Sequence, residues 1–124
     1  YVAGRLGLGA AADYALKIGM EEIEADLTAK AARLREGLAG LPGVTVHDIG
    51  RKKGGIVTFT KAGRSAAAIK AGLSQRRINV SVSGASSTLF DMSARGLREL
   101  VRASVHYVNN TAVLDRLIGA VAEI

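Results

Sequence analysis

A chain of 124 residues is long enough to bury a core of its own, and its lack of cysteine excludes disulfides and thiolate chemistry from this segment. Seventeen lysines and arginines against eleven acidic residues give a formal charge of +6, which permits attraction to nucleic acid or acidic surfaces. With only five aromatics and none arranged as a stacking platform, that basic balance does not by itself read as a nucleic-acid site; nor does any run of about 18 uninterrupted apolar residues suggest a membrane span. Residues 1–12 lack the layout of a signal peptide, so the expectation is a soluble, cytoplasmic protein.

Those first residues, YVAGRLGLGAAA, hold Gly7, Gly9 and Ala12 in a G-x-G-x-x-A pattern. A phosphate-cradling turn needs a strand to aim it, and only six residues precede Gly7, so the glycines are expected to let a helix pack closely on a neighbour. Between 13 and 40, Leu16, Met20, Ile23, Leu27, Ala31, Leu34 and Leu38 recur every three or four positions, which predicts one long amphipathic helix. Asp26 and Lys30 add an i,i+4 pair worth roughly 0.3 kcal/mol, so packing of the stripe must dominate its stability. Glu21, Glu22 and Glu24 spread around the helix rather than converge, which reads as a solvated face and not a metal or acid-base cluster. Gly40, Leu41, Pro42 and Gly43 end the helix.

Two β-branched stretches, 44–49 and 55–60, flank the basic loop GRKKGG and are expected to pair as an antiparallel hairpin. His47 falls among the outward polar positions of the first, where a lone histidine is more often incidental than catalytic. Arg51, Lys52 and Lys53 have no following helix to lend amides to a phosphate and read as a solvated loop. Ser65 is placed to cap a helix through Ala66, Ile69, Lys70 and Leu73, which breaks at Arg76 and Arg77. A strand over 79–83 follows, then a small polar loop over 84–87 that lets a ligand approach, with Leu89, Phe90 and Met92 as an apolar plug beneath it.

The stretch 100–124 alternates at first, with Val101, Ala103, Val105 and Tyr107 on one face of a strand and Arg102, Ser104 and His106 on the other. Asn109 and Asn110 supply turn and N-cap residues, and Val113, Leu114, Leu117, Ile118 and Val121 then recur at helical spacing. The resulting order, α-β-β-α-β-β-α, predicts an α+β fold: a small, mainly antiparallel four-stranded sheet covered by helices on one face, with a long N-terminal helix. The open face then carries Arg102, whose planar fork suits a carboxylate; alternation alone equally allows an arginine on an ordinary solvated sheet.

VRASVHYVN followed by LDRL closely resembles the C-terminal end of class V aminotransferase-fold enzymes of fold type I, which depend on pyridoxal phosphate. The resemblance extends through RINVSVSGASSTLFDM, GGIVTFT and GRLGLGAA, and so covers essentially the whole chain. It departs from the family pattern at Val108, often tyrosine there, at Asn110, often threonine, and at Val113, often a glutamate that closes a capping box. The resemblance implies that Arg102 grips the substrate's α-carboxylate, with Ser83, Ser87 and His106 as further candidates. It also implies that residues 1–124 are one C-terminal small domain, inactive alone, of a larger homodimeric enzyme acting on an amino acid or related carboxylate. The opening at Tyr1 rather than methionine fits that expectation. Residues 1–12 would belong to the helix that connects to a large domain, with Val2, Leu6 and Leu8 contacting it. That large domain would hold most of the cofactor and its Schiff-base lysine, since none of Lys17, Lys30, Lys52, Lys53, Lys61 and Lys70 stands in a matching context.

Cysteine desulfurases are a sister activity, in which a loop shortly before the arginine strand carries the attacking cysteine. Here that loop reads SGASSTLFDM, with Ser86 and Ser87 near the position, and a hydroxyl replaces a thiolate poorly in sulfur transfer. Transamination, epimerisation and β-lyase chemistry remain open. A non-catalytic ferredoxin-like binding or assembly module would show a similar alternation of elements and is the alternative.

Overall fold

The computed structural model describes residues 1–124, and in it Gly19 divides the helical first third in two. The first helix, α1 (Val2–Ile18), and the second, α2 (Met20–Ala39), meet at Gly19, whose φ of 102° would strain any L side chain. One helix over 13–40 is therefore corrected to two. Leu16, at the start of the expected stripe, is 66% exposed because α1 buries no residue of its own. Gly7 and Gly9 lie inside α1 with nothing within 4 Å of where a Cβ would stand, so neither packs on a neighbour within this chain. Beyond the break the stripe holds: Ile23 and Leu27 are half-buried, and Ala31, Leu34 and Leu38 enter the core.

Four strands follow the two helices: β1 (Val44–Val46), β2 (Ile56–Lys61), β3 (Ser81–Gly84) and β4 (Glu99–Ser104). They form one antiparallel sheet in the order β1-β2-β4-β3. Helices α3 (Ala66–Gln75) and α5 (Thr111–Glu123) pack with α2 on one face, where Val57, Phe59 and Val101 meet Leu34, Leu38, Ile69, Leu73 and Val121. Every fully buried residue is apolar, so transfer of hydrocarbon from water dominates the stability of this layer. The predicted α+β class and sheet are present, and no helix is long and apolar enough to cross a membrane.

Two of the anticipated caps form. Ser65 accepts from the amide of Ala68, and Asn110 accepts from that of Val113, each closing one free donor of a first turn. Lys30 reaches Asp26 at 2.6 Å and also donates to the Tyr107 carbonyl, so the helix pair doubles as a tie to the chain beyond β4.

Two local expectations are corrected. The strand predicted to alternate through Tyr107 stops at Ser104, because Asn109 Oδ1 accepts from the His106 amide and folds the chain into a turn. After β3 a single 3₁₀ turn (Ala85–Ser87) leads into a short helix, α4 (Leu89–Ala94), in place of a loop over an apolar plug. Met92 alone is buried there; Phe90 is 91% exposed.

Candidate active site

The register of the sheet assembles the open face. Thr58 on β2, Arg102 on β4 and Ser81 on β3 pair directly across the strands, so their side chains form one polar row, opposite in direction to the core-facing row of Phe59, Val101 and the partly buried Val82. Over this row lies a cleft of about 400 Å³. The β1–β2 connection, with His47, Asp48 and Lys53, forms one wall; α4, with Asp91, Met92 and Arg95, forms the other. Ser83 and Thr88 add hydroxyls, and Leu100 gives the floor an apolar spot.

Charge in the cleft is unevenly satisfied. Asp48 is fully engaged: its Oδ2 takes Arg35 Nε at 2.7 Å, and its Oδ1 accepts both the amide and the hydroxyl of Thr58. Asp91 pairs with Arg95 at 3.0 Å, one turn along α4. The ion pairs of the chain engage Lys30, Arg33, Arg35, Lys52, Arg76 and Arg95, and none engages Arg102. An exposed guanidinium with no internal acid therefore faces a cleft whose own carboxylates are occupied. Five donors in a rigid fork make it a receptor for a planar anion.

His47 is more than an incidental surface residue. Its Nε2 lies 2.8 Å from Thr60 Oγ1, its amide donates to Thr58, and its carbonyl accepts from Arg95, which pins α4 against the β1 side. Burial, and next the positive Arg95, hold the imidazole below its ordinary pKa, against the opposing pull of Asp48. The unfolded chain protonates this ring near pH 6.5 while the folded chain resists, so the unfolded state binds more protons in the window below that value. Stability accordingly falls as pH drops from 6.5 toward the lowered folded pKa, and His47 contributes no slope well above pH 6.5. His47→Gln, which retains a hydrogen-bonding group for Thr60, is expected to flatten the dependence of Tm on pH between about 7 and 5. An unchanged slope in a pH series of melts would show that His47 is not the group responsible.

Of the residues singled out by sequence, Arg102 and Ser83 come together in the cleft. Ser87 is exposed in the 3₁₀ turn outside its lining, and Thr88 stands nearer. His106 also lies outside it, beyond the end of β4, with its ring 4.2 Å from that of Tyr107. Sequence reasoning missed Asp48, Arg35 and Arg95. The Asp91 to Arg95 spacing was a readable helical pair, whereas the Arg35–Asp48 contact spans a helix, a turn and a strand and carries no local signal.

The chain's own side chains do not make a seat for pyridoxal phosphate. None of the five aromatic residues lines the cleft to stack on a pyridine ring. Lys52 is 90% exposed, and its hydrogen bond to Glu24, then the charge of Glu24, raise its pKa and keep it an ammonium rather than a nucleophilic amine. Lys30 is held by Asp26, and Lys61 donates to the Val121 carbonyl at 2.7 Å.

A probable cysteine desulfurase from Xylella fastidiosa (strain 9a5c) is 28% identical over 123 residues, which are 99% of this chain and 29% of that protein. The solved apo cysteine desulfurase from Thermococcus onnurineus NA1 superposes with a TM-score of 0.87 at 29% identity, over 94% of this chain and 29% of that one. A cysteine desulfurase from Escherichia coli shares the fold with a TM-score of 0.89 at 23% identity, over 98% of this chain and 30% of that one. The chain thus spans about 29% of the length of its curated relative. Residues 1–117 match the aminotransferase class-V family model, and the chain belongs to that family.

Proposed function

We propose that this chain is the substrate-recognition part of a pyridoxal-phosphate enzyme, with Arg102 binding the α-carboxylate of an amino acid or related substrate. The observation that carries the reading is the unpaired guanidinium of Arg102 in a cleft whose carboxylates are already engaged. Ser83 and Thr88 offer hydroxyls to the same ligand, between walls formed by the β1–β2 connection and α4. The cofactor supplies the electron sink for chemistry at the substrate's α-carbon, and it is held by polypeptide outside these residues, because no tyrosine or phenylalanine ring lines the cleft and its two lysines, Lys52 and Lys53, stand on an exposed loop. The exposed apolar residues of α1, among them Leu6, Leu8, Tyr14 and Leu16, are the surface on which that remaining polypeptide packs.

The relative from Xylella and the Thermococcus protein are named for cysteine desulfuration. This chain holds no thiol, and Ser86 and Ser87 occupy the turn before α4, so sulfur cannot be passed to a cysteine of this segment. Transamination, epimerisation and β-lyase chemistry are each consistent with carboxylate anchoring at Arg102. Family membership over residues 1–117 supports an enzyme part over a free-standing ferredoxin-like module.

The division of labour is tested by adding pyridoxal phosphate to this chain, reducing with borohydride and mapping peptides. No lysine is expected to be labelled stoichiometrically; one stoichiometrically labelled lysine overturns the assignment. The carboxylate contact itself is read from the kinetics of Arg102 variants in the full-length polypeptide.

A further inference from the structure

A second cavity, about 230 Å³, lies away from the cleft, between the C-terminal end of β4, the start of β3 and the first turns of α5. Its floor is apolar, with Ile78, Val105, Leu114 and Leu117 buried against the core, and two arginines, Arg77 and Arg116, stand at its exposed mouth.

Two independent features mark that mouth. The first is backbone conformation. Arg77 follows the C-cap of α3 and is the one residue other than glycine with a positive φ, at 57°. Its amide donates to Ser74 and that of Ile78 to Leu73, the closing pattern in which glycine is the usual residue because it has no Cβ to clash. A strained position has been given to a cation rather than to the residue that would relax it. The second feature is charge. Neighbouring acids are taken elsewhere: Glu123 pairs with Arg76 at 3.2 Å, and Asp115 receives a bidentate contact from Arg33 at 2.8 and 2.9 Å. Arg116 reaches only the backbone carbonyl of Arg77, at 3.2 Å, and neither Arg77 nor Arg116 enters an ion pair, so both arginines lining this apolar-floored cavity lack a counter-ion.

We propose that this cavity is a second binding site, for a small monocarboxylate with an apolar body, its carboxylate bridged by Arg77 and Arg116 and its body seated on Ile78, Leu114 and Leu117. The volume admits a body the size of one aromatic ring or a short alkyl chain. Substrate anchoring at Arg102 is a separate matter, and neither assignment depends on the other.

The probe is phenylacetate, titrated into the protein carrying Arg102→Ala so that the cleft's free arginine is removed, and followed by amide shifts in NMR. Saturable shifts are expected at Ile78, Val105 and Leu114. The neutral isostere phenylacetamide should bind at least about tenfold more weakly, since it loses a charge-assisted contact. Arg116→Gln should weaken phenylacetate by about tenfold for the same reason. Arg77→Gly should weaken it similarly while raising Tm, because glycine relieves the positive φ. Equal binding of the amide, an Arg77→Gly protein with unchanged affinity, or no saturable shift would each overturn the proposal.

Discussion

Asp48→Ala is expected to cost about 3 kcal/mol of folding stability, at the lower end of what breaking a buried ion pair costs. The side chains of Arg35 and Asp48 are only 12% and 9% exposed, so removing the acid leaves a desolvated guanidinium with just the carbonyls of Gly54 and Ile56 as partners. Two further donors, the amide and hydroxyl of Thr58, lose their acceptor at the same time. For a chain of this size that corresponds to a fall in Tm of roughly 12 °C. Arg35→Ala should behave similarly, whereas replacing both residues by apolar groups of similar volume should recover much of the loss, since no lone charge is then buried. Thermal melts of the two single variants and the double replacement make the test. Single variants that melt with the unmutated protein would show that the pair is solvated in solution.

That same contact marks where reading the sequence stops. Local features were legible because they are settled by neighbours: Ser65 and Asn110 cap their helices, Asp26 finds Lys30, and the alternation around Arg102 puts it on the open face. The break at Gly19 was hidden because the apolar stripe runs across it without a gap in period, and only the missing burial of α1 exposes the change. His106 was misplaced for a related reason. Alternation predicts the face of a residue only while the strand continues, and an asparagine side chain closing on the His106 amide ends it. The walls of the cleft were illegible, because Arg35, Asp48 and Thr58 converge through pairing register and helix docking rather than spacing. α4 was read as an apolar plug and not as a helix because six residues are too few for a periodic signal, and Arg95 holds it through a backbone carbonyl far away in sequence.

Arg102→Ala, in the full-length enzyme, is expected to lower kcat/KM for a carboxylate-bearing substrate by about 2 to 4 kcal/mol, roughly 30-fold to 1,000-fold, with little change in Tm. Stability should be spared because no partner within the chain is orphaned: the Arg102 side chain is exposed, and its strand is held by backbone pairing with Thr58 and Ser81. Catalysis should not be spared, because an arginine with no internal acid has no pair to break before it accepts the substrate, so its full interaction is available for positioning. Arg102→Lys should recover only part of the loss, since an ammonium is a point charge and cannot reproduce the planar two-donor contact. The sharpest control is the substrate itself. Converting its carboxylate to a carboxamide should cost the unmutated enzyme much of what Arg102→Ala costs, and should cost the Arg102→Ala enzyme little more, because the two changes remove one shared contact. Steady-state kinetics of both proteins with both substrates, beside thermal melts, give the full cycle. Additive losses would place the carboxylate elsewhere, and a variant that simply unfolds would make Arg102 a structural residue.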